Sequence, residues 1–147
     1  MRTLTERIDI HASGDSVWSV LNDFGGVANW APYVRESKIV GELEHGVGAH
    51  RLMRHFWGFR LEESVVEWKD RVGYTFDARV VPYPIGRVKE SWALEVGNPR
   101  VSVTSSVTYE MHLGWLGRIL DWVLIRHLIR REMRAGLRGL RDYAQSR

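Results

Sequence analysis

From Val34 to His112 the chain reads as six extended runs, Val34–Val40, Ala49–His55, Arg60–Trp68, Val72–Val80, Gly86–Val96 and Val101–His112. Short breaks separate them. A loop carries Gly41, Gly46 and Gly48, a tight turn uses Lys69-Asp70-Arg71, and Gly97-Asn98-Pro99 closes the last hairpin. Pro82 and Pro84 take Val81–Gly86 out of any ladder, because proline has no N–H to donate. Consecutive strands joined by short loops pair antiparallel, as a meander. After Gly114 and Gly117 a single long helical pattern runs to about Ala144. A sheet with one buried face and one helix to cover it has a single solution, in which the helix lies along the concave face. With 147 residues and no repeat or composition break, residues 1–147 are expected to form one domain.

The N-terminal segment adds a strand, Arg7–His11, and then Ser13-Gly14-Asp15. Ser13 or Asp15 can cap the helix that follows, Ser16–Asp23, by accepting its free first-turn N–H groups. That helix breaks at Gly25-Gly26, and a second short turn ends at Trp30-Ala31-Pro32. Strand, helix, Gly-Gly break and Trp-x-Pro, followed by the meander and the long helix, resemble the SRPBCC superfamily of START-like and Bet v 1-like proteins. The nearest branch is polyketide cyclase/dehydrase and lipid transport. The resemblance implies an α+β helix-grip fold: an antiparallel curved sheet of about seven strands, two short N-terminal helices and one long C-terminal helix, enclosing an apolar cavity.

Strand alternation then nominates the residues that face the cavity. On the last strand Val101, Val103, Ser105, Val107, Tyr109 and Met111 form the inner set. Val88, Trp92, Leu94 and Val96 share a face with Glu90, as do Tyr74, Phe76 and Ala78 with one another. Ala49–His55 and Arg60–Trp68 read either way, Arg51, Met53 and His55 against His50, Leu52 and Arg54, and Leu61, Glu63, Val65 and Glu67 against Glu62, Ser64, Val66 and Trp68. Here the resemblance contributes. Gly48-Ala49-His50-Arg51 is similar to the family's G-x-x-R, and Glu63-Ser64-Val65 matches its E-R-L in part. In the abscisic-acid receptor branch the Arg and Glu of these motifs lie on the cavity side, which implies that Arg51 and Glu63 point inward and can pair across the ladder. That branch's gate and latch motifs are absent, so hormone sensing does not carry over. The expected ligand-binding residues are Trp30, Arg51, Met53, Glu63, Tyr74, Phe76, Trp92, Ser105, Tyr109, Trp122 and Ile129. Each has a plain alternative as core: Arg51 and Glu63 can simply satisfy each other, Trp30 can anchor the helical break, and the aromatics can be ordinary packing.

Composition excludes some chemistry. There is no cysteine, so disulfides and thiolate metal sites are ruled out. The six histidines, 11, 45, 50, 55, 112 and 127, show no metal-ligand spacing. Neither a metal nor a cofactor is expected. The opening MRTLTERIDI is polar and alternating, unlike a signal peptide, and no run reaches the ~18 apolar residues of a membrane span. The expectation is a cytoplasmic protein.

Charge is concentrated at one end. Residues 115–147 hold eight arginines and three acids, a net of +5, against −2 for the remainder. On the C-terminal helix Trp115, Trp122, Ile125, Ile129, Met133, Leu137, Leu140 and Ala144 form the expected grip face. Arg126, Arg130, Arg134, Arg138 and Arg141 run down the other side, without the interleaved aromatics that nucleic-acid binding wants. The first half, Trp115–Ile129, is apolar almost all round, with Leu116, Leu120, Val123 and Leu124 outside the grip face. It is buried by the Tyr83–Ile85 loop and neighbouring strands, or forms a homodimer contact in place of a monomer, or touches a membrane transiently.

These features support binding, and possible transport, of a hydrophobic small molecule such as a lipid, isoprenoid or polyketide. The alternative is a polyketide aromatase/cyclase or dehydratase that holds its substrate folded near one acid/base group. Candidates for that group are Arg51, His55, Glu63, Tyr74 and Tyr109, and no catalytic residue is assigned. A third reading is an interaction domain that works through its surface arginines.

Overall fold

The computed structural model describes residues 1–79 and 81–147; the expected strand end at Val80 lies outside the described residues. Seven strands, β1 (Arg2–Ile10), β2 (Val34–Val40), β3 (His50–His55), β4 (Arg60–Lys69), β5 (Gly73–Arg79), β6 (Ile85–Val96) and β7 (Val101–Met111), form one antiparallel sheet in the order β1-β7-β6-β5-β4-β3-β2. The meander from β2 to β7 is closed by β1, which pairs with β7 from Arg2↔Tyr109 to Ile10↔Val101. The first strand is therefore longer than its Arg7–His11 core. Helix α1 (Gly14–Asn22) begins at Ser13, whose Oγ accepts from Ser16 N at 3.0 Å. A 3₁₀ turn, Phe24–Asn29, follows the Gly25-Gly26 break. This is the helix-grip architecture that the sequence predicts.

The C-terminal segment is not one uninterrupted α-helix. It runs as α2 (Gly114–Leu120), a π-helical turn (Asp121–Ile125) and α3 (Arg126–Gln145). Met133, Gly136, Leu137, Leu140 and Ala144 bury against the sheet. Gly139 permits the close approach: a Cβ there would lie 1.9 Å from the Trp30 carbonyl oxygen. A π turn spends one extra residue, so the helix before it is rotated by about 100° relative to a continuous α-helix. Asp121 and Gly117 consequently face inward, whereas Trp115 and Trp122 are 69% and 65% exposed. The expected placement of Trp122, and of Trp115, on the grip face is corrected by this turn.

A second irregularity settles the phase of β4. The register slips between Val65 and Glu67, so Leu61, Glu63 and Val65 face inward and Trp68 joins them beyond the bulge. On β3 the inward set is Arg51, Met53 and His55. Two clusters of apolar side chains result. The larger joins α1, the 3₁₀ turn, the inner strand faces and the end of α3; the smaller gathers Leu4, Val107, Tyr109 and Met133.

Candidate functional site

Register brings the polar inner residues together. Arg51 lies opposite Glu63, and Glu63 opposite Ala78; in the next row Phe76 lies opposite Glu90, and Glu90 opposite Val107. Arg51 Nε donates to Glu63 Oε1 at 2.7 Å, and its NH1 donates to the Phe24 carbonyl at 2.6 Å. Its guanidinium sits 3.8 Å from the Phe24 ring centroid and 4.9 Å from that of Phe76, the stacking that suits a weakly hydrated planar cation. Both members of the pair are 3% exposed. Burial lowers the Arg51 pKa, but Glu63, Tyr74 and Glu90 outweigh it and hold the guanidinium above its ordinary value.

Glu90 has no cation of its own. It accepts from Trp92 Nε1 at 3.0 Å. Burial first, and the neighbouring Glu63 second, push its carboxyl up to about 8, against the lowering pull of Arg51. Glu90 retains some accessible surface, and it lines both a small void and a half-open cavity at the sheet centre, whose walls are mainly apolar. At neutral pH Glu90 is therefore a neutral acid that can donate a hydrogen bond. Tyr33 is raised well above its usual value by burial and by Glu90, Glu132 and Glu63 in turn, and burial likewise raises Tyr74, so both phenols stay protonated.

Two spaces meet at these groups. A void of about 10 Å³, the size of one water, is bounded by Trp30, Arg51, Tyr74, Phe76 and Trp92. Trp30 Nε1 is buried there without a hydrogen-bond partner, and its ring meets Trp92 edge-on at 5.2 Å. Beside it opens a cavity of about 360 Å³, within the roughly 300–1,000 Å³ usual for small-molecule sites. Its walls are mainly apolar: Met53, Phe59, Leu61, Ala78, Val88, Val107, Ile125, Leu128, Ile129, Met133 and the loop from Val81 to Ile85. Tyr33, Glu63 and Glu90 contribute to both spaces, as does Met53.

His55 and Glu132 line the cavity as well, next to Tyr33, whose ring stacks on the imidazole at 6.1 Å. Trp57 N donates to His55 Nδ1 at 3.1 Å, which assigns the proton to Nε2, and Nε2 donates to Glu132 Oε1 at 2.5 Å. The imidazole stacks on Phe59 at 4.3 Å. His55 thus faces inward on the same strand as Arg51, with α3 rather than Glu63 supplying its partner. The same three residues, Tyr33, His55 and Glu132, border an outer pocket of about 200 Å³ with Phe56, Trp57 and Leu128.

Of the expected ligand residues, Trp30, Arg51, Met53, Glu63, Tyr74, Phe76 and Trp92 border the small void, and Met53, Glu63 and Ile129 line the main cavity. Three stand elsewhere. Ser105 faces inward but is fully buried, with no partner for its Oγ. Tyr109 belongs to the smaller cluster, and its hydroxyl donates to Asp121, which also binds Arg2 Nε at 2.5 Å. Trp122 is on the outer surface. Glu90, Tyr33 and Glu132 were not among the expected ligand residues. Strand alternation had already placed Glu90 inward; an acid in a row otherwise filled by Val88, Trp92, Leu94 and Val96 was the available signal, although Val96, at the end of β6, proves to be exposed. Among the described residues no cluster of His, Asp or Glu has the arrangement of a metal site. No helix among them is long and apolar enough to cross a membrane.

Comparison with known proteins agrees with this architecture. The family model described as polyketide cyclase/dehydrase and lipid transport matches residues 1–145. A search of curated proteins returns no match. Among solved structures, TTHA0849 from Thermus thermophilus superposes with a TM-score of 0.80 at 18% identity, covering 99% of this chain and 98% of that one. XoxI from Bacillus cereus gives 0.80 at 19% identity, over 99% and 96% of the two chains. Ara h 8.0201, a Bet v 1-like protein, gives 0.78 at 12% identity, covering 99% of each. At these identities the structural likeness speaks for the fold, and the family match over nearly the whole length establishes that the chain belongs to the polyketide cyclase/dehydrase and lipid transport family of SRPBCC proteins.

Proposed function

We propose that this protein binds a hydrophobic small molecule carrying one polar, hydrogen-bond-accepting head, of the lipid, isoprenoid or polyketide kind, inside the cavity between α3 and the sheet. One observation carries the reading: an apolar space of about 360 Å³ ends on a carboxyl, Glu90, that burial keeps protonated. A neutral acid donates to a carbonyl or hydroxyl while the apolar walls take the rest of the molecule. Glu63 is already engaged by Arg51, and Tyr33, which lines the cavity with Glu90, supplies a second donor, a phenol. Pockets of this type combine apolar walls with a few placed polar groups that fix orientation.

The test is native mass spectrometry of protein purified from its own host, with organic extraction of whatever is released. A stoichiometric apolar adduct in the wild type that is lost in Ala78→Trp, which fills the cavity, is the expected result. An empty wild-type protein that also fails to take up fatty acids, isoprenoids or aromatic polyketides would overturn the reading.

The same geometry favours a second reading as a polyketide cyclase or dehydratase. A protonated Glu90 near the Arg51–Glu63 pair is the kind of environment in which carboxyls take up acid/base roles. Turnover separates the two: a carrier returns its ligand unaltered, whereas an enzyme yields a cyclised or dehydrated product, and Glu90→Gln abolishes its formation.

A further inference from the structure

The π turn has an effect on the outer surface as well as on the core. By turning Asp121 inward it leaves Trp115, Leu116, Ile119, Trp122, Val123 and Leu124 between 46% and 69% exposed on α2 and the turn itself. Two exposed indoles and four exposed aliphatic side chains within ten residues are far from the scattered apolar exposure of an ordinary surface. Within the stretch itself the exposed charge has one sign. Asp121 is the sole acid in residues 113–131, and it is 4% exposed, neutralised by Arg2 and hydrogen-bonded to Tyr109. Arg118, Arg126, Arg130 and Arg131 belong to the same stretch. Arg130 is tied to Glu6, but Arg126 Nε is buried without any hydrogen-bond partner among the described residues.

We propose that this face is a docking surface for a lipid bilayer containing anionic phospholipid. Interfacial helices have this composition: tryptophans and aliphatics that enter the headgroup boundary, flanked by cations that meet phosphate. Arg118 and Arg131 are exposed beside the apolar residues, where their guanidinium groups can meet lipid phosphate. A second copy of the chain fits less well. An isologous dimer would set the same arginines against each other with no surface acid in the patch to pair with them. The location adds a reason for the surface to exist. One turn further along, Ile125, Leu128 and Ile129 line the cavity, opposite the Pro82–Ile85 loop whose Tyr83 is 71% exposed. A protein seated on this face holds that side of its cavity next to the hydrocarbon from which an apolar ligand would come. The proposal goes beyond the cavity reading and does not depend on it.

Co-sedimentation of the full chain with vesicles tests it. The protein is expected to partition onto vesicles of equal parts phosphatidylcholine and phosphatidylglycerol, and several-fold less onto phosphatidylcholine alone. Trp122→Ser and Trp115→Ser should each lower the partition coefficient about tenfold. Arg118→Glu combined with Arg126→Glu should remove the preference for the anionic vesicles. Unchanged thermal melts would establish that these surface variants are folded, and Glu90→Gln should bind vesicles as the wild type does, whatever becomes of the cavity reading. Three results would overturn the proposal: folded wild-type protein left in the supernatant; Trp122→Ser binding as well as wild type; or a concentration-dependent doubling of mass, abolished by Trp122→Ser, without vesicle binding. The last would assign the face to a second copy.

Discussion

Replacing Glu90 by glutamine isolates the cost of keeping a carboxyl in the cavity. Glutamine has the shape of the protonated acid and keeps an oxygen to accept from Trp92 Nε1, so the substitution removes ionisation and little else. In the folded protein the carboxyl titrates at about 8, against an ordinary 4.5, because it is buried and faces Glu63. A carboxyl raised by folding stabilises the folded state at low pH, and that contribution is lost as pH rises from the unfolded value through the folded one. At about 1.36 kcal/mol per pH unit, the interval between 4.5 and about 8 sets a ceiling of about 5 kcal/mol. Water entering the cavity around an ionised Glu90 relaxes part of this, so a difference of about 2–4 kcal/mol is expected. The assay is urea denaturation of wild type and Glu90→Gln at about pH 5 and about pH 9. The two proteins should differ little at the lower pH, and the variant should be the more stable at the higher. Taking the difference of differences cancels the titrating groups that do not interact with Glu90. Equal stability changes at both pH values would refute the assignment of a neutral Glu90.

Three further outcomes follow from the geometry. Arg51→Leu strands a buried Glu63 and should cost about 3–5 kcal/mol, most of it recovered in the Arg51→Leu, Glu63→Leu double variant; denaturant midpoints read both. Ser105→Ala removes an inward hydroxyl that has no partner, so stability should be unchanged or up by about 1 kcal/mol and ligand uptake unaffected, the latter contrary to its expected role in binding. Gly139→Ala puts a methyl into the space held by the Trp30 carbonyl and should cost on the order of 2–3 kcal/mol, lowering the melting temperature by about 6–10 degrees, as α3 is forced off the 3₁₀ turn.

The cavity's dependence on helix placement explains which site residues were legible beforehand. Alternation on β7 is uninterrupted, and its inner set was readable directly. Arg51 and Glu63 came from two short motifs and are paired as the resemblance implies. The phase of β4 was ambiguous because a bulge at Val66 breaks the two-residue period, and a bulge leaves no mark in a window of alternating residues. Trp122 was misplaced for a related reason. The helical wheel assumes one constant period, and a single π turn between Asp121 and Ile125 invalidates it for everything upstream. Where the wheel put Trp122, the fold instead turns Asp121 inward, and Tyr109 and Arg2 supply it with partners from β7 and β1.

By itself, then, the sequence determined the order of elements, the antiparallel meander and a C-terminal helical segment to cover it, while the inward pair of Arg51 and Glu63 came from the family resemblance. These depend on periodicity, breakers and short motifs, all of which act over a few neighbouring residues. The tertiary structure alone decided that Glu90 is neutral, that His55 answers to Glu132 across 77 positions of chain, that Tyr109 is tied to Asp121 behind the cavity wall, and that two tryptophans face outward. Desolvation, cavity volume and hydrogen-bond partnership are properties of what surrounds a group, and here the surroundings are assembled from segments distant in the chain.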